Sequence, residues 1–145
     1  MEIKIKRLNE RAKIPTFGTE FSAGADLYCA EEHEMTVYGG QKCSIGTGIS
    51  MEIPEGYVGL VFARSGLACK NGLRLCNSVG VIDSDYRGEI KVVLHNDSEY
   101  VRGIKPGERV AQMIIMPYPK VTFTEVEELS DTVRGESGFG GTGRF

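Results

Sequence analysis

Two aspartates, Asp83 and Asp85, flank Ser84 and run directly into Tyr86, Arg87 and Gly88, within the stretch "NSVGVIDSDYRGEIKV" from Asn77 to Val92. A carboxylate held at the end of an apolar run can orient a water and take its proton. A β-turn rich in Asp, Ser and Gly uses the same residues for its own backbone, so the spacing serves either role. A second group is "ARSGLACKNGL", where Arg64, Ser65 and the amide of Gly66 stand at the end of an apolar run. Backbone N–H groups beside a planar guanidinium suit a phosphate oxygen, and they equally suit an ordinary polar turn. Gln112 interrupts the apolar run from Val110 to Met116. A buried amide left unpaired costs roughly 1–3 kcal/mol, so Gln112 either bonds the structure or faces a site. Asp26 follows a glycine in "AGADL" and reads as a turn carboxylate or as part of the same chemistry.

The last polar group is the tail "RGESGFGGTGRF", from Arg134 to Phe145, with five glycines and only Phe139 and Phe145 as apolar side chains. It cannot bury enough surface to offset the entropy of ordering it. A loose terminus is one reading. A flap that orders over a ligand, with Phe139 offering a flat face, is the other.

Strands must position these groups, because helical periodicity is nearly absent. From Cys43 to Ile53, apolar or small residues at odd positions alternate with Ser44, Gly46, Gly48, Ser50 and Glu52, which predicts one strand with a buried face. Further strands are expected over Ile3–Leu8, Asp26–Ala30, Tyr57–Ala63, Glu89–Asn96, Arg109–Met116 and Val121–Val126. Turn signals such as "PEG", "HND" and "KPGE" separate them at about the 8–12-residue spacing of an all-β sandwich or barrel. Only "SGLACKNG" is suited to a helical turn.

At 145 residues the chain is the size of one domain. A net charge of −3 with interleaved signs argues against a basic, sequence-independent nucleic-acid binder. The start "MEIKIKRLNE" lacks the apolar core of a signal peptide, and no stretch approaches the ~20 apolar residues of a membrane span, so a soluble, intracellular and cytoplasmic protein is expected. Cys29, Cys43, Cys69 and Cys76 form no CxxC pair and read as buried or half-buried free thiols.

In order and spacing, "AGADL", "RSGLA", "GVIDSDYRGE", "GERVAQMI" and "RGESGFGGTG" together resemble the five signature motifs of the trimeric deoxyuridine triphosphate nucleotidohydrolases, the dUTPases. The resemblance covers nearly the whole chain. It implies a jelly-roll-like all-β barrel over residues 1–129 that assembles as a homotrimer. A mobile glycine-rich arm, residues 130–145, would close over a neighbouring active site. The implied activity is Mg²⁺-dependent hydrolysis of dUTP to dUMP and diphosphate by water attack on the α-phosphorus, which keeps uracil out of DNA and supplies dUMP for thymidylate synthesis. The implied partners are dUTP and further copies of the chain, with neither nucleic acid nor membrane.

The resemblance also assigns roles. Asp83 matches the carboxylate that activates the attacking water, and Gln112 a glutamine that bonds phosphate or that water. Arg64, Ser65 and Gly66 match the phosphate-binding motif. Asn77 and the backbone of Val81, Ile82 and Asp83 match the hairpin that reads the uracil edge, with Lys91 further along it. Tyr86 matches the ring that stacks on deoxyribose and leaves no room for a 2′-hydroxyl. Asp26 matches an aspartate near the metal, acting through water. In the tail, Arg134, Phe139, Gly140 and Thr142 match the lid, Phe139 over uracil, while Gly141 stands where the family usually has serine. Two other readings remain open on sequence. A dCTP deaminase shares the fold, but the glutamate its chemistry needs aligns with Val93 here. A non-catalytic nucleotide-binding regulator is disfavoured by Asp83, Tyr86 and Gln112 together.

Overall fold

The computed structural model describes residues 1–138 and is all-β apart from one wide helical turn at Gly66–Lys70. Twelve strands follow in order: β1 Lys4–Arg7, β2 Thr16–Phe17, β3 Ala25–Tyr28, β4 Met35–Val37, β5 Lys42–Gly46, β6 Ile49–Glu52, β7 Tyr57–Phe62, β8 Leu73–Leu75, β9 Val79–Ile82, β10 Lys91–Asn96, β11 Arg102–Ile104 and β12 Arg109–Pro117. All pair antiparallel. The largest sheet has the order β2-β3-β12-β7-β9, and β5-β10-β8, β1-β6 and β11-β4 complete the jelly-roll-like body. Non-consecutive neighbours such as β3 and β12 bring segments far apart in sequence side by side.

One core joins these sheets. Leu27, Ile45, Ile49, Leu73, Ile90, Leu94, Ile104 and Val110 are fully buried. Asn96 is buried among them and fully partnered: its Nδ2 donates to the carbonyls of Val37 (2.9 Å) and Tyr100 (2.7 Å), and its Oδ1 accepts from the Ser98 amide (3.0 Å). A buried amide with all its partners ties the end of β10 to β4 instead of destabilising the core.

The run Cys43–Ile53 is not one strand. It breaks at Thr47–Gly48, so that β5 pairs with β10 while β6 turns away to pair with β1. Gly48 has φ +65°, and a Cβ there would come within 2.9 Å of the Cβ atoms of Ala12 and Ala30. Only glycine fits this left-handed corner against packed neighbours. The expected inward residues Ile45, Thr47, Ile49, Met51 and Ile53 are all buried, but so are Gly48 and Ser50 of the other face, so the alternation breaks where the chain turns the corner.

The strand expected over Val121–Val126 is also not formed. Val121, Phe123 and Val126 are exposed, Phe123 by 94%, and among the described residues the last backbone bond tying this end of the chain to the body runs from the Tyr118 amide to the Gly56 carbonyl (2.9 Å). Apolar spacing alone cannot make a strand without an edge to pair with. Among the thiols, Cys29 is buried and Cys43 and Cys76 are half-buried, but Cys69 is exposed on the helical turn, contrary to expectation. Burial pushes the Cys29 and Cys43 thiols up from their ordinary value. Among the described residues no helix is long and apolar enough to cross a membrane.

Candidate active site

Most of the expected polar residues fall into two clefts, one on the largest sheet and one between β9 of that sheet and the segment leading into β10. The first, about 680 Å³, is lined by Asp26, Arg64, Ser65, Gly66, Arg109 and Gln112, with Gly24 at its rim. Asp26 leaves β3 almost fully buried and accepts from two cations: Arg64 Nε at 2.8 Å from Oδ1 and Arg109 Nη1 at 3.2 Å from Oδ2. One carboxylate thereby holds two guanidiniums at the cleft floor. Arg109 lies half exposed, free to offer its remaining N–H groups to an anion.

Gln112 sits opposite Asp26 across the β3–β12 ladder, and its Nε2 donates to the Ala63 carbonyl at 3.0 Å. That bond fixes the amide and leaves Oε1 turned toward Gly24. A Cβ at Gly24 would approach this oxygen to 2.6 Å, so the glycine of "AGADL" makes room for the glutamine. Ser65 and Gly66 open the helical turn, where the Ala68 amide already bonds the Arg64 carbonyl at 3.0 Å.

Arg109 is a cleft residue that sequence reading missed, and the reason is geometric. Positions 109 and 112 differ by an odd number and would face opposite sides of a regular strand. A register shift between Arg109 and Ala111 reverses the parity and brings both into the same cleft.

The second cleft, about 460 Å³, is lined by Val81, Ile82, Asp83, Tyr86, Glu89, Ile90 and Lys91. Its two walls are the arms of a splayed hairpin, joined where the Cys76 amide bonds the Val93 carbonyl at 2.9 Å and parting beyond. The bend between them is braced from within: the Tyr86 amide donates to the Asp83 carbonyl at 3.2 Å, and Arg87 Nη1 donates to the carbonyls of Ser84 (2.6 Å) and Tyr86 (3.1 Å). Asp83 is exposed at this bend. Asn77 does not line the cleft; it lies at the other end of β9, just after the arms join, beside Ser78, the one described non-glycine residue with a left-handed φ (61°).

The two clefts share no lining residue. Gln112 is opposite Phe62, and Phe62 opposite Val79, so Asp83, four residues beyond Val79 and just past the end of β9, is displaced about 13 Å along the strand direction at a strand's rise and two strand spacings to the side. Arg134 stands apart from both, its Nε bonded to the Ser137 carbonyl at 2.9 Å. Phe139, Gly140, Gly141 and Thr142 lie outside the described residues.

Among the described residues no group of three or more His, Cys, Asp or Glu is arranged to hold a metal. Asp26 has both oxygens committed to guanidiniums. The first cleft therefore does not fit an ion held by protein ligands alone; it fits an anionic ligand, with or without its own cation.

The ion triad gives a stability prediction. Asp26→Asn keeps the shape but sets an amide N–H₂ against a guanidinium, and is expected to destabilise the fold by about 1–2 kcal/mol, the partial exposure of Arg64 and Arg109 lowering the cost. Denaturant unfolding monitored by circular dichroism measures it, and a midpoint equal to that of the parent protein would show the triad to be energetically idle.

The chain is similar over nearly its whole length to known proteins. The family model described as dUTPase matches residues 10–143. The deoxyuridine 5'-triphosphate nucleotidohydrolase of Nautilia profundicola is 49% identical over 144 residues, covering 99% of this chain and all of that one. Among solved structures, the Staphylococcus bacteriophage 80alpha dUTPase with dUPNHPP superposes with a TM-score of 0.86 at 30% identity, covering 98% of each chain. A variant of the dUTPase from phage phi11 of S. aureus, which coordinates a structural Mg(II) ion, superposes with a TM-score of 0.79 at 27% identity, covering 88% of this chain and 98% of that one.

Proposed function

Since the chain belongs to the dUTPase family and is a dUTP diphosphatase, we propose that its two clefts are the phosphate half and the nucleoside half of the site that hydrolyses dUTP, brought together between copies of the chain. The observation that carries this is their separation. A general base and the ligands of the phosphorus it attacks must converge within hydrogen-bond reach of one water. Within one chain, Asp83 and Gln112 are offset by about 13 Å along the strand direction and by two strand spacings of about 4.8 Å across the sheet, so a second copy must supply the missing half.

Other features support assembly, which we take to be a homotrimer. Val121, Phe123, Val126 and Leu129 are exposed apolar side chains that no other described residue covers. An apolar groove of about 350 Å³ is lined by exposed Phe17 and half-buried Ile3, Ile5 and Ile115, with buried Met113 at its base. Apolar surface of this extent marks a contact face.

Within the joined site, Arg64, Arg109 and the amides of Ser65 and Gly66 hold the triphosphate, with Asp26 keeping both guanidiniums in place. Gln112 bonds a phosphate oxygen or the attacking water through its free oxygen. Asp83 takes the proton of that water as it attacks the α-phosphorus, and diphosphate leaves. The backbone of Val81–Asp83 reads the uracil edge, with Asn77 where the arms join and Lys91 on the facing arm. Tyr86 covers the deoxyribose. Mg²⁺ carried in on the substrate would neutralise triphosphate charge, and Asp26 would be the residue to approach it, through water. The arm from residue 130, with Arg134, Phe139, Gly140 and Thr142, closes over the site of a neighbouring copy.

Diphosphate release from dUTP, dCTP, dTTP and UTP in the presence of Mg²⁺ tests this reading. Turnover is expected on dUTP, with the other three slower by at least about 10²-fold in kcat/KM, because each presents a mismatched group to a fixed pocket. Comparable rates on UTP would remove Tyr86 from its role, and comparable rates on dCTP would remove the hairpin from its own.

A further inference from the structure

Tyr86 is able to exclude a 2′-hydroxyl only if its ring stays where it is, and the geometry points to Glu89 as the positioning residue that keeps it there. The Tyr86 hydroxyl donates to the Glu89 carbonyl at 3.0 Å. An added Cβ at Gly88 would overlap the Tyr86 phenol, so the ring lies flat across the glycine with its hydroxyl reaching just beyond. What holds the ring is therefore the peptide of residue 89.

That peptide is anchored from the opposite side. The Glu89 carboxylate, only 26% exposed, accepts from the Gly48 amide at 2.9 Å, at the left-handed corner where β5 gives way to β6. The next residue adds two bonds to the same corner: the Ile90 amide donates to the Ile49 carbonyl at 2.9 Å, and Thr47 Oγ1 donates to the Ile90 carbonyl at 2.5 Å. Lys91 Nζ stands 3.7 Å from the other carboxylate oxygen. Glu31 makes a parallel bond, accepting from the Gly46 amide at 2.7 Å, so the corner is capped by carboxylates on both sides. Glu89 thus has its side chain in the barrel corner and its carbonyl in the nucleoside cleft. The corner, the arm and the ring form one connected unit, and the carboxylate of Glu89 transmits the rigidity of the corner to Tyr86.

This inference rests on the reading of Tyr86 as the ring over the sugar and adds a residue that no part of that reading requires. The Glu89 carboxylate is spent on the barrel corner and takes no part in the reaction; its effect is on discrimination. The readout is the ratio of kcat/KM for dUTP to that for UTP. Glu89→Ala is expected to lower this ratio by about tenfold, as the loss of one charge-assisted hydrogen bond would. Glu89→Gln keeps an oxygen for the Gly48 amide and should keep the ratio near the parent value. Tyr86→Phe should lower the ratio to the same degree, and the Glu89→Ala, Tyr86→Phe double variant should fall no further, because both changes cut one connection. Where the alanine variant does not fold, Glu89→Asp, one methylene short of Gly48, carries the same expectation. An unchanged ratio in Glu89→Ala or Glu89→Asp, with Tyr86→Phe lowered, overturns the inference. An unchanged ratio in Tyr86→Ala instead overturns the sugar-reading role of Tyr86, and the two failures are told apart by that variant.

Discussion

Asp83→Asn is expected to lower kcat on dUTP by about 10²–10⁴-fold, the range a general base contributes, with dUTP binding changed by no more than a few fold. The asparagine keeps the size and the acceptor oxygen of the side chain and loses only its capacity to take a proton. The bend should survive the change, because its bonds run through backbone and through Arg87: the Tyr86 amide reaches the Asp83 carbonyl, and Arg87 holds the carbonyls of Ser84 and Tyr86. Asp83 is exposed at this point, so an amide there meets water and not an apolar wall. Steady-state diphosphate release gives kcat, and equilibrium titration with a non-hydrolysable dUTP analogue gives affinity. A fully active variant would transfer the role of base to another group.

Deleting everything after Val133 is expected to lower kcat/KM by about 10²-fold while leaving the fold and its stability intact. Base–aromatic stacking is worth roughly 1–3 kcal/mol, and Phe139 acts in this reading together with Arg134 and Thr142. The described part of the deleted segment makes only local bonds: Arg134 to Ser137, and the Gly135 amide to the carbonyl and hydroxyl oxygens of Thr132. None reaches the core. Thermal unfolding should therefore superpose on that of the full chain, and a lost transition would mean that the tail is structural. Undiminished hydrolysis would leave the tail without a catalytic part.

The family and its activity were legible in the sequence because five short motifs, each ambiguous alone, stand together in the order and spacing of the dUTPases. The all-β class was legible from period-two alternation. What escaped were features that depend on where alternation fails. The corner at Gly48 leaves the inward pattern of Ile45, Thr47 and Ile49 intact, so nothing in the pattern announces that the strand changes partner. The bulge before Ala111 rotates Arg109 onto the face of Gln112, against the parity of the sequence. Strands of two or three residues, β2, β4, β8 and β11, are too short to show a period at all. Val121–Val126 shows the reverse failure, a good pattern that finds no edge to pair with among the described residues. Glu89 gave no signal, since its part is played by one oxygen of its side chain and one of its backbone.

The two clefts, separate in each chain, also alter how damage to this protein would spread. If each site joins the phosphate half of one copy to the nucleoside half of another, no chain owns a site; each is a shareholder in two. A chain with a ruined bend at residues 83–86 would still lend a sound phosphate cleft to one neighbour while disabling the site it shares with the other. Two chains ruined in different halves would, when mixed, build some intact sites that neither forms alone. In genetic terms, lesions in the two halves would fall into distinct complementation groups within a single gene.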